Sequence, residues 1–476
     1  MDGGYWRAVA ASSTTAPYDP TACWPLSNAS GLPEQCGAPA WSLDPPCPRC
    51  WANDAPDDPS GGHGPAPTLP PATRAAMAAR LEQYLASMLA ARPASHKDVG
   101  TVFSGHGGRA LLLLKLHAAT ANATYLQLAA PYVDAMATRL VEQEAADLAS
   151  GAVGFQWSHV GMLCVAAVAA DRRGDAAAAG AYVGKVVGVF RSGRGKYDGF
   201  DSGRAGLLFA ARFLDANLPA MAAAAEGGHL VPRALVLATA QAIVDRGEAT
   251  GRANGNGFLQ WHGPNDAGLW LGQSHGSAGV LGQLLAVPEL LPRNASAASL
   301  VRATLDHLVS VQFASGNFPA EYYNATQDWL VQWDHGAPGV SAALLAAAAA
   351  PPFRGTAAGA AYARSAQRAL DCAWRRGLVT KGLMSCHGIG GNTWMQLYAA
   401  QVTGNATYAY RALAFQDTVL GTPLLSDPAR MRQPQPLPDG PWQFWTGSTE
   451  SAILLWTDLL HRGPLNASMS GWMPQL

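Results

Sequence analysis

The chain has 476 residues, of which 49% are hydrophobic and 14% are charged, and its formal net charge at pH 7 is -1. Because the charges are balanced and no block of basic residues occurs, the composition argues against nucleic acid as a partner. The most apolar run, residues 341–351, is short and mostly alanine. Such a run suits a packed helix rather than a membrane span, so we expect no transmembrane segment.

Residues 1–72 are rich in proline, glycine, serine and aspartate and show no lasting apolar period. They predict a loop-dominated N-terminal arm that is partly disordered. Its first residues lack the basic and apolar segments of a signal peptide. Four cysteines cluster in the arm and could form two disulfides, a small zinc site or free thiols: Cys23, Cys36, Cys47 and Cys50.

Six asparagines are each followed by alanine and then by serine or threonine: Asn28, Asn122, Asn294, Asn324, Asn405 and Asn466. Such sequons are typical of exposed loops in secretory proteins. Several of them also stand just before a helical run, where Ser and Thr are good helix N-caps. The sequons therefore suggest the secretory pathway without establishing it.

The composition and patterning of the sequence change at Thr73. The segment Ala75–Ala91 predicts one amphipathic helix, and Ala- and Leu-rich segments with few β-branched runs follow it. We therefore predict an all-α body that spans residues 73–476.

A turn of small residues that leads into an apolar helix recurs seven times, at intervals of roughly 45 to 70 residues. The seven turns are Ser104–Gly108, Trp157–Gly161, Ser202–Gly206, Ser274–Gly279, Asp334–Gly339, Cys386–Gly391 and Trp445–Glu450. Each interval leaves room for one inner and one outer helix. Because stacked hairpins bury their faces only against neighbours, we predict an α/α toroid, a double ring of seven inner and seven outer helices. The turns would then meet at one end of a central cavity.

The sixth turn places a thiol and an imidazole on adjacent residues, Cys386 and His387, and Asp334 occupies the equivalent place in the fifth turn. Zinc accepts sulfur, nitrogen and oxygen ligands, and three protein ligands plus one open position form a catalytic site. We therefore predict a zinc site at Asp334, Cys386 and His387. The alternative is that Cys386 is a small buried hydrophobe beside a capping histidine.

Other polar residues in or near the turns are candidates for supporting roles. We predict that His275 is a general acid or base near the metal, and that His106 and His335 make structural hydrogen bonds. Further side chains could bind an anionic substrate (Lys381, Arg204, Arg109 and Tyr197) or orient a histidine (Asp198 and Asp201).

Three His-Gly turns occurring in this order resemble the LanC-like protein family, the eukaryotic relatives of bacterial lanthionine synthetase C. The matching motifs are Ser274–Gly279, Gln332–Val340 and Cys386–Asn392, and the resemblance covers about residues 73–462. It implies a double ring of helices with a zinc ion held by two cysteines and a histidine. It also implies glutathione binding and addition of the glutathione thiol to dehydroalanine or dehydrobutyrine in peptides or proteins.

Matched to the family motif by motif, Cys386 and His387 correspond to two zinc ligands and His275 to the histidine that handles the proton. Lys381 and Arg204 correspond to residues that lie near the substrate. The family's first zinc cysteine is Asp334 in this chain, and an oxygen ligand in place of sulfur leaves a zinc-bound thiolate less nucleophilic. The resemblance also implies a cytosolic or inner plasma-membrane location, with peripheral membrane contact.

Two alternative functions follow from the same residues. A non-catalytic scaffold that binds glutathione or peptide is favoured by the change of the family's cysteine to Asp334. A glycoside hydrolase is less favoured, because such an enzyme needs two carboxylates facing one cavity. The only acids in or beside the turns are Asp198, Asp201, Asp334 and Glu450.

Overall fold

The computed structural model describes residues 53, 55–62, 64, 67–97, 100–263, 268–323, 328–379, 381–421 and 442–466. The four N-terminal cysteines and the sequons at Asn28 and Asn324 lie outside these residues. The described part of the chain is all-α, as predicted, with no strand beyond one isolated bridge between Trp270 and Glu321. None of its helices is both long enough and apolar enough to span a bilayer.

Fourteen helices form two concentric sets and are labelled here in chain order together with two short ones. The inner helices are α2 (His106–Thr120), α4 (His159–Arg172), α6 (Arg204–Asn217), α9 (Ser277–Leu285), α12 (Ala337–Ala349), α14 (Ile389–Thr403) and α16 (Ser448–His461). The outer helices are α1 (Pro71–Ala91), α3 (Ala123–Ser150), α5 (Ala176–Ser192), α8 (Arg233–Ala253), α11 (Ala295–Ser310), α13 (Ala357–Arg376) and α15 (Ala406–Gly421). The short helices are α7 (Pro219–Ala224) and α10 (Leu290–Arg293).

The inner helices pack side by side in a closed ring, because α16 contacts both α14 and α2. Six outer helices follow their inner partners in the chain. The seventh outer helix is α1, which precedes the first repeat and packs against α16, so the first helix of the body completes the last hairpin. The predicted toroid of seven hairpins is thereby confirmed.

The sequence explains why the two sets of helices differ. Every residue of α4 from His159 to Ala170 is buried, because inner helices are covered on all sides. The outer helix α13 buries one face only and carries arginines on the other. Small residues let the inner helices approach closely, whereas amphipathic outer helices meet water.

Several glycines in the turns are required because a backbone carbonyl from a few residues earlier in the chain lies very near them. A Cβ atom at Gly161 would lie 1.8 Å from the Phe155 carbonyl oxygen, and one at Gly279 would lie 1.8 Å from that of Gln273. The last residues of each turn begin an inner helix.

A belt of hydrogen bonds joins the seven turns to one another. Backbone bonds supply six of the seven links: Phe103 N to Gln156 O (3.0 Å), Gln156 N to Asp201 O (3.2 Å), Phe200 N to Ser274 O (2.8 Å), Asp334 N to Cys386 O (2.9 Å), Ser385 N to Trp445 O (3.2 Å) and Trp445 N to Phe103 O (3.3 Å). The seventh link uses a side chain, because Ser274 N donates to Asp334 Oδ1 at 3.0 Å. Asp334 therefore closes the belt.

Two buried ion pairs fasten the last inner helix to the first. Arg109 Nε lies 3.0 Å from Glu450 Oε1, and Lys115 Nζ lies 2.8 Å from Asp458 Oδ1. All four side chains are at most 1% exposed. Because unpaired charges are very costly at such depth, each pair fixes the register of α2 against α16.

The described end of the N-terminal segment packs against the outside of the ring. Arg411 on α15 donates to both carboxylate oxygens of Asp57, at 2.9 and 2.6 Å, and Asn53 Nδ2 donates to the Trp374 carbonyl at 2.7 Å. Helix α1 begins at Pro71. That residues 1–72 form a separate N-terminal arm stays a prediction.

Three of the sequon asparagines have a structural role at helix starts. The side-chain oxygen of Asn122 accepts a hydrogen bond from Thr124 N, that of Asn294 from Ala297 N, and that of Asn405 from Thr407 N. Each bond satisfies a backbone donor in the first turn of α3, α11 or α15. The caps therefore come from asparagine rather than from the Ser or Thr that the sequence suggested.

Candidate functional site

Polar side chains from four neighbouring turns meet at the N-terminal end of the inner helices. They are Asp201 before α6, His275 before α9, Asp334 and His335 before α12, and Cys386 and His387 before α14. All six residues are buried. The prediction that the turns gather at one end of the ring is thereby supported by side-chain contacts.

Asp334 lies at the centre of this cluster. Its Oδ2 atom is 3.1 Å from His387 Nε2, 3.3 Å from His275 Nε2 and 3.7 Å from His335 Nε2. Burial alone would raise the pKa of Asp334, but the neighbouring histidines, His275 foremost, hold the pKa well below its usual range. The position therefore carries a buried negative charge.

His275 lies between two carboxylates. Its Nδ1 atom is 3.3 Å from Asp201 Oδ2, and its Nε2 atom faces Asp334. Burial lowers the pKa of His275, but Asp334 and Asp201 together outweigh burial and raise the pKa to about 10. Asp201 thus orients this imidazole, whereas Asp198, the other aspartate considered for that role, is paired with Arg204.

His335 joins the cluster, although the sequence suggested only a structural hydrogen bond for it. Its ring centroid lies 5.0 Å from that of Trp270 and 5.5 Å from that of His387. Burial lowers the pKa of His335 to about 3, so its imidazole is neutral and able to bind a metal ion. In the sequence, the one indication that His335 joins the cluster was its position next to Asp334. Nothing in the sequence indicated its contact with Trp270.

Cys386 and His387 contact each other on the side of the imidazole away from Asp334. Cys386 Sγ is 2.9 Å from His387 Nδ1, while Asp334 contacts the opposite ring nitrogen, Nε2. The structure thus brings the three predicted zinc ligands together as a connected chain. Because one imidazole offers only one nitrogen to one ion, binding a single ion by all three requires the His387 ring or the Asp334 carboxylate to turn.

The available donor atoms fit zinc. His275, Asp334 and His335 each present one ligand atom, and these atoms lie within 4.8 Å of one another. Cys386 and His387 add a thiol and a further imidazole beside them. Buried sulfur, nitrogen and carboxylate ligands on rigid turns are the donors that zinc prefers. Two overlapping ligand sets are therefore possible, and both contain Asp334.

The predicted substrate-binding residues differ in their availability. Lys381 is partly buried near the cluster, and its positive charge contributes to the lowered pKa of His335. Arg204 is buried, and its Nε atom lies 2.7 Å from Asp198 Oδ1. Arg109, a further candidate, is committed to Glu450. Of the three cations, Lys381 is the one whose charge acts on the site.

The four acids considered for a glycoside hydrolase are all engaged. Glu450 pairs with Arg109, and Asp198 pairs with Arg204. Asp201 and Asp334 do lie near each other, but the imidazole of His275 occupies the space between them. A glycosidic bond would need that space, so this arrangement disfavours glycoside hydrolysis.

Comparisons with known proteins agree with the motifs. A family model described as lanthionine synthetase C-like protein matches residues 98–423, well over half of the chain. The chain is 26% identical over 326 residues to "Glutathione S-transferase LANCL1" of Danio rerio, which covers 67% of this chain and 74% of that protein. It is 30% identical over 330 residues to "LanC-like protein GCL1" of Arabidopsis thaliana, which covers 66% of this chain and 69% of that protein.

Proposed function

The chain belongs to the lanthionine synthetase C-like family, and from this membership and the Asp334 cluster we propose that it is a zinc-dependent enzyme of thiol addition. Its thiol substrate would be glutathione, and its acceptor a peptide or protein that contains a dehydroamino acid. The observation that carries the proposal is the convergence of Asp334, Cys386, His387 and His275 at one end of the ring.

We propose that Asp334, Cys386 and His387 hold one zinc ion. Zinc bound there would lower the pKa of a coordinated thiol, so that the thiolate is present at neutral pH. An open fourth position is what a catalytic zinc site requires. The aspartate in place of the family's cysteine predicts slower addition than a site with two thiolates supports.

In the proposed reaction, the sulfur of glutathione bonds to the β-carbon of the dehydroamino acid. The electron pair of the carbon–carbon double bond moves to the α-carbon, which then takes up a proton. His275 is suited to supply that proton, because Asp201 lies 3.3 Å from its Nδ1 and orients the ring, while its Nε2 faces the proposed zinc site at Asp334. The glutathione thiol gives up one proton and the α-carbon gains one, so the addition is balanced and no group is oxidised, reduced or lost.

The relative named as a glutathione S-transferase supports glutathione as the thiol substrate. Lys381 supports it on chemical grounds, because its charge near the cluster would attract a glutathione carboxylate. Arg204 stays a second candidate, although its pairing with Asp198 reduces its capacity to bind a further anion.

A non-catalytic scaffold is the second candidate function. Asp334 supports it, because this carboxylate already accepts a bond from Ser274 N and contacts three imidazoles. A buried acid with this many partners is stable without a metal ion. Such a protein would bind glutathione without accelerating its addition.

The reaction is tested by incubating the full chain, zinc-loaded, with glutathione and a dehydroalanine peptide, and by mass spectrometry of the peptide. We expect the mass of glutathione to appear faster than without protein. Cys386→Ala should abolish the acceleration, and Cys164→Ala, which changes a buried thiol on α4 outside the cluster, should not. Retained glutathione with no acceleration would favour the scaffold.

A further inference from the structure

A second cavity lies at the other end of the inner helices. It has a volume of about 330 Å³ and is lined by the C-terminal parts of α9 and α12 and by single side chains of α6 and α14: Arg212, Gly282, Leu285, Ala286, Ala346, Ala349, Ala350 and Tyr398. Helix α9 has nine residues, which span about 14 Å at 1.5 Å per residue, and the Asp334 cluster lies beyond its other end. The cavity is therefore separate from the proposed zinc site.

One cation faces this cavity without an acidic partner. Arg212 donates to Gln283 Oε1 and lies 5.7 Å from the Phe209 ring centroid. Among the residues that the structure describes, no Asp or Glu forms an ion pair with it. Burial lowers the pKa of Arg212 to about 10, so the guanidinium is still charged at neutral pH. The side chain of Arg212 is only partly covered, so its charge faces the cavity, and a cation without an acidic partner favours an anion there.

A glutamine and a tyrosine lie beside this cation. Because a guanidinium can only donate, Gln283 must turn its oxygen to Arg212, and its buried Nε2 is left without an acceptor. Tyr398 lines the same cavity, and burial raises its pKa to about 12, so its hydroxyl is a neutral donor. The cation and the tyrosine hydroxyl match the two oxygens of one carboxylate, and Gln283, which does not line the cavity, holds Arg212 in place.

The remaining lining residues are leucine, alanine and glycine, none of which carries a polar side chain. The volume lies at the lower end of the range for small-molecule pockets, about 300–1,000 Å³. The C-terminal ends of α9 and α12 bring only partial negative charge, which acts within the last helical turn, whereas Arg212 carries a full positive charge.

We propose that this cavity is a binding site for a small organic monocarboxylate with an apolar body. The Arg212 guanidinium pairs with the carboxylate, Tyr398 donates to one of its oxygens, and the alanine side chains contact the apolar part. The site is independent of the proposed zinc chemistry, because none of its residues belongs to the Asp334 cluster.

The test uses the full chain and fluorine NMR titration with 4-fluorobenzoate. We expect saturable binding with a Kd on the order of 0.1–1 mM, as suits a ligand of about ten non-hydrogen atoms. The uncharged analogue 4-fluorobenzamide should bind at least about tenfold more weakly. Butyrate should compete with 4-fluorobenzoate, and inorganic phosphate should not.

Variants of the lining residues test whether the ligand binds in this cavity. Arg212→Met should weaken binding about tenfold to a hundredfold, as expected for a lost hydrogen bond to a charged group, and Arg212→Lys should restore part of it. Ala346→Phe should block the cavity. The matched control is Arg173→Met, at the C-terminal end of α4 on the same side of the ring, which should change nothing.

The proposal is overturned by any of four results. They are no saturable binding of 4-fluorobenzoate, equal affinity for the amide, unchanged affinity in both Arg212→Met and Ala346→Phe, and displacement by phosphate at lower concentration than by butyrate. Circular dichroism of each variant distinguishes loss of the site from loss of the fold.

Discussion

The buried pair between Lys115 and Asp458 allows the closure of the ring to be tested quantitatively. Asp458→Asn leaves Lys115, which is 1% exposed, without its carboxylate partner. Burial already lowers the pKa of Lys115 with Asp458 in place, so removing that carboxylate lowers it further. In the variant, the lysine can stay buried only by giving up its proton.

The free energy needed to deprotonate Lys115 sets the expected loss of stability in the variant. An ordinary lysine has a pKa of about 10.4, so deprotonating it costs about 4.6 kcal/mol at pH 7 and about 1.9 kcal/mol at pH 9. The first value agrees with the range of about 3–5 kcal/mol for breaking a buried pair. Because the unfolded chain binds more protons than the folded variant, the free energy of unfolding of the variant should rise with pH up to about 10.

Urea unfolding followed by circular dichroism at pH 7 and pH 9 measures both values. In the double variant Lys115→Met with Asp458→Asn, no cation remains buried at position 115, so at least half of the lost stability should return at pH 7. As a control, Glu142→Gln breaks an exposed pair with Arg139 and should change stability by less than about 1 kcal/mol. An equal loss at pH 7 and pH 9, or a double variant as unstable as the single one, would refute the reasoning.

Three further predictions concern the site and the turns. Asp334→Cys should tighten zinc, measured by competition with a chelator, and speed glutathione addition; unchanged zinc affinity and rate would remove position 334 from the metal site. His275→Gln should slow addition at least about tenfold while zinc content stays the same, whereas an unchanged rate would exclude it as the proton donor. Gly279→Ala should lower the free energy of unfolding by more than about 2 kcal/mol, because the new Cβ would meet a carbonyl oxygen. Gly184→Ala, on the open face of α5, should raise it by about 0.5–1 kcal/mol. Equal effects of the two variants in urea unfolding would contradict the role given to close packing at Gly279.

The sequence predicted the seven inner helices because six of them begin where a neighbouring carbonyl approaches too closely for any side chain, as at Gly161 and Gly279. It did not predict that α1 is the outer partner of α16. That pairing depends on closure of the ring, which joins residues far apart in the chain and leaves no local signal.

The sequence also indicated which turns would form the site, because turns at equivalent ends of adjacent helices must meet. It did not predict the place of His335, since spacing along the chain does not fix the direction of a side chain in a turn. Nor did it show that Asp334 and Cys386 lie on opposite nitrogens of His387. These details depend on packing against Trp270 and on the belt that Asp334 closes.

The zinc content of the purified full chain tests the central proposal most directly. After dialysis into zinc-free buffer, mass spectrometry should find one zinc ion per chain in the natural protein and in His335→Ala, and none in Cys386→Ala. Circular dichroism should show equal helix content in all three proteins. Absence of zinc from the natural protein, or zinc that persists in Cys386→Ala and is lost in His335→Ala, would contradict the proposed metal site.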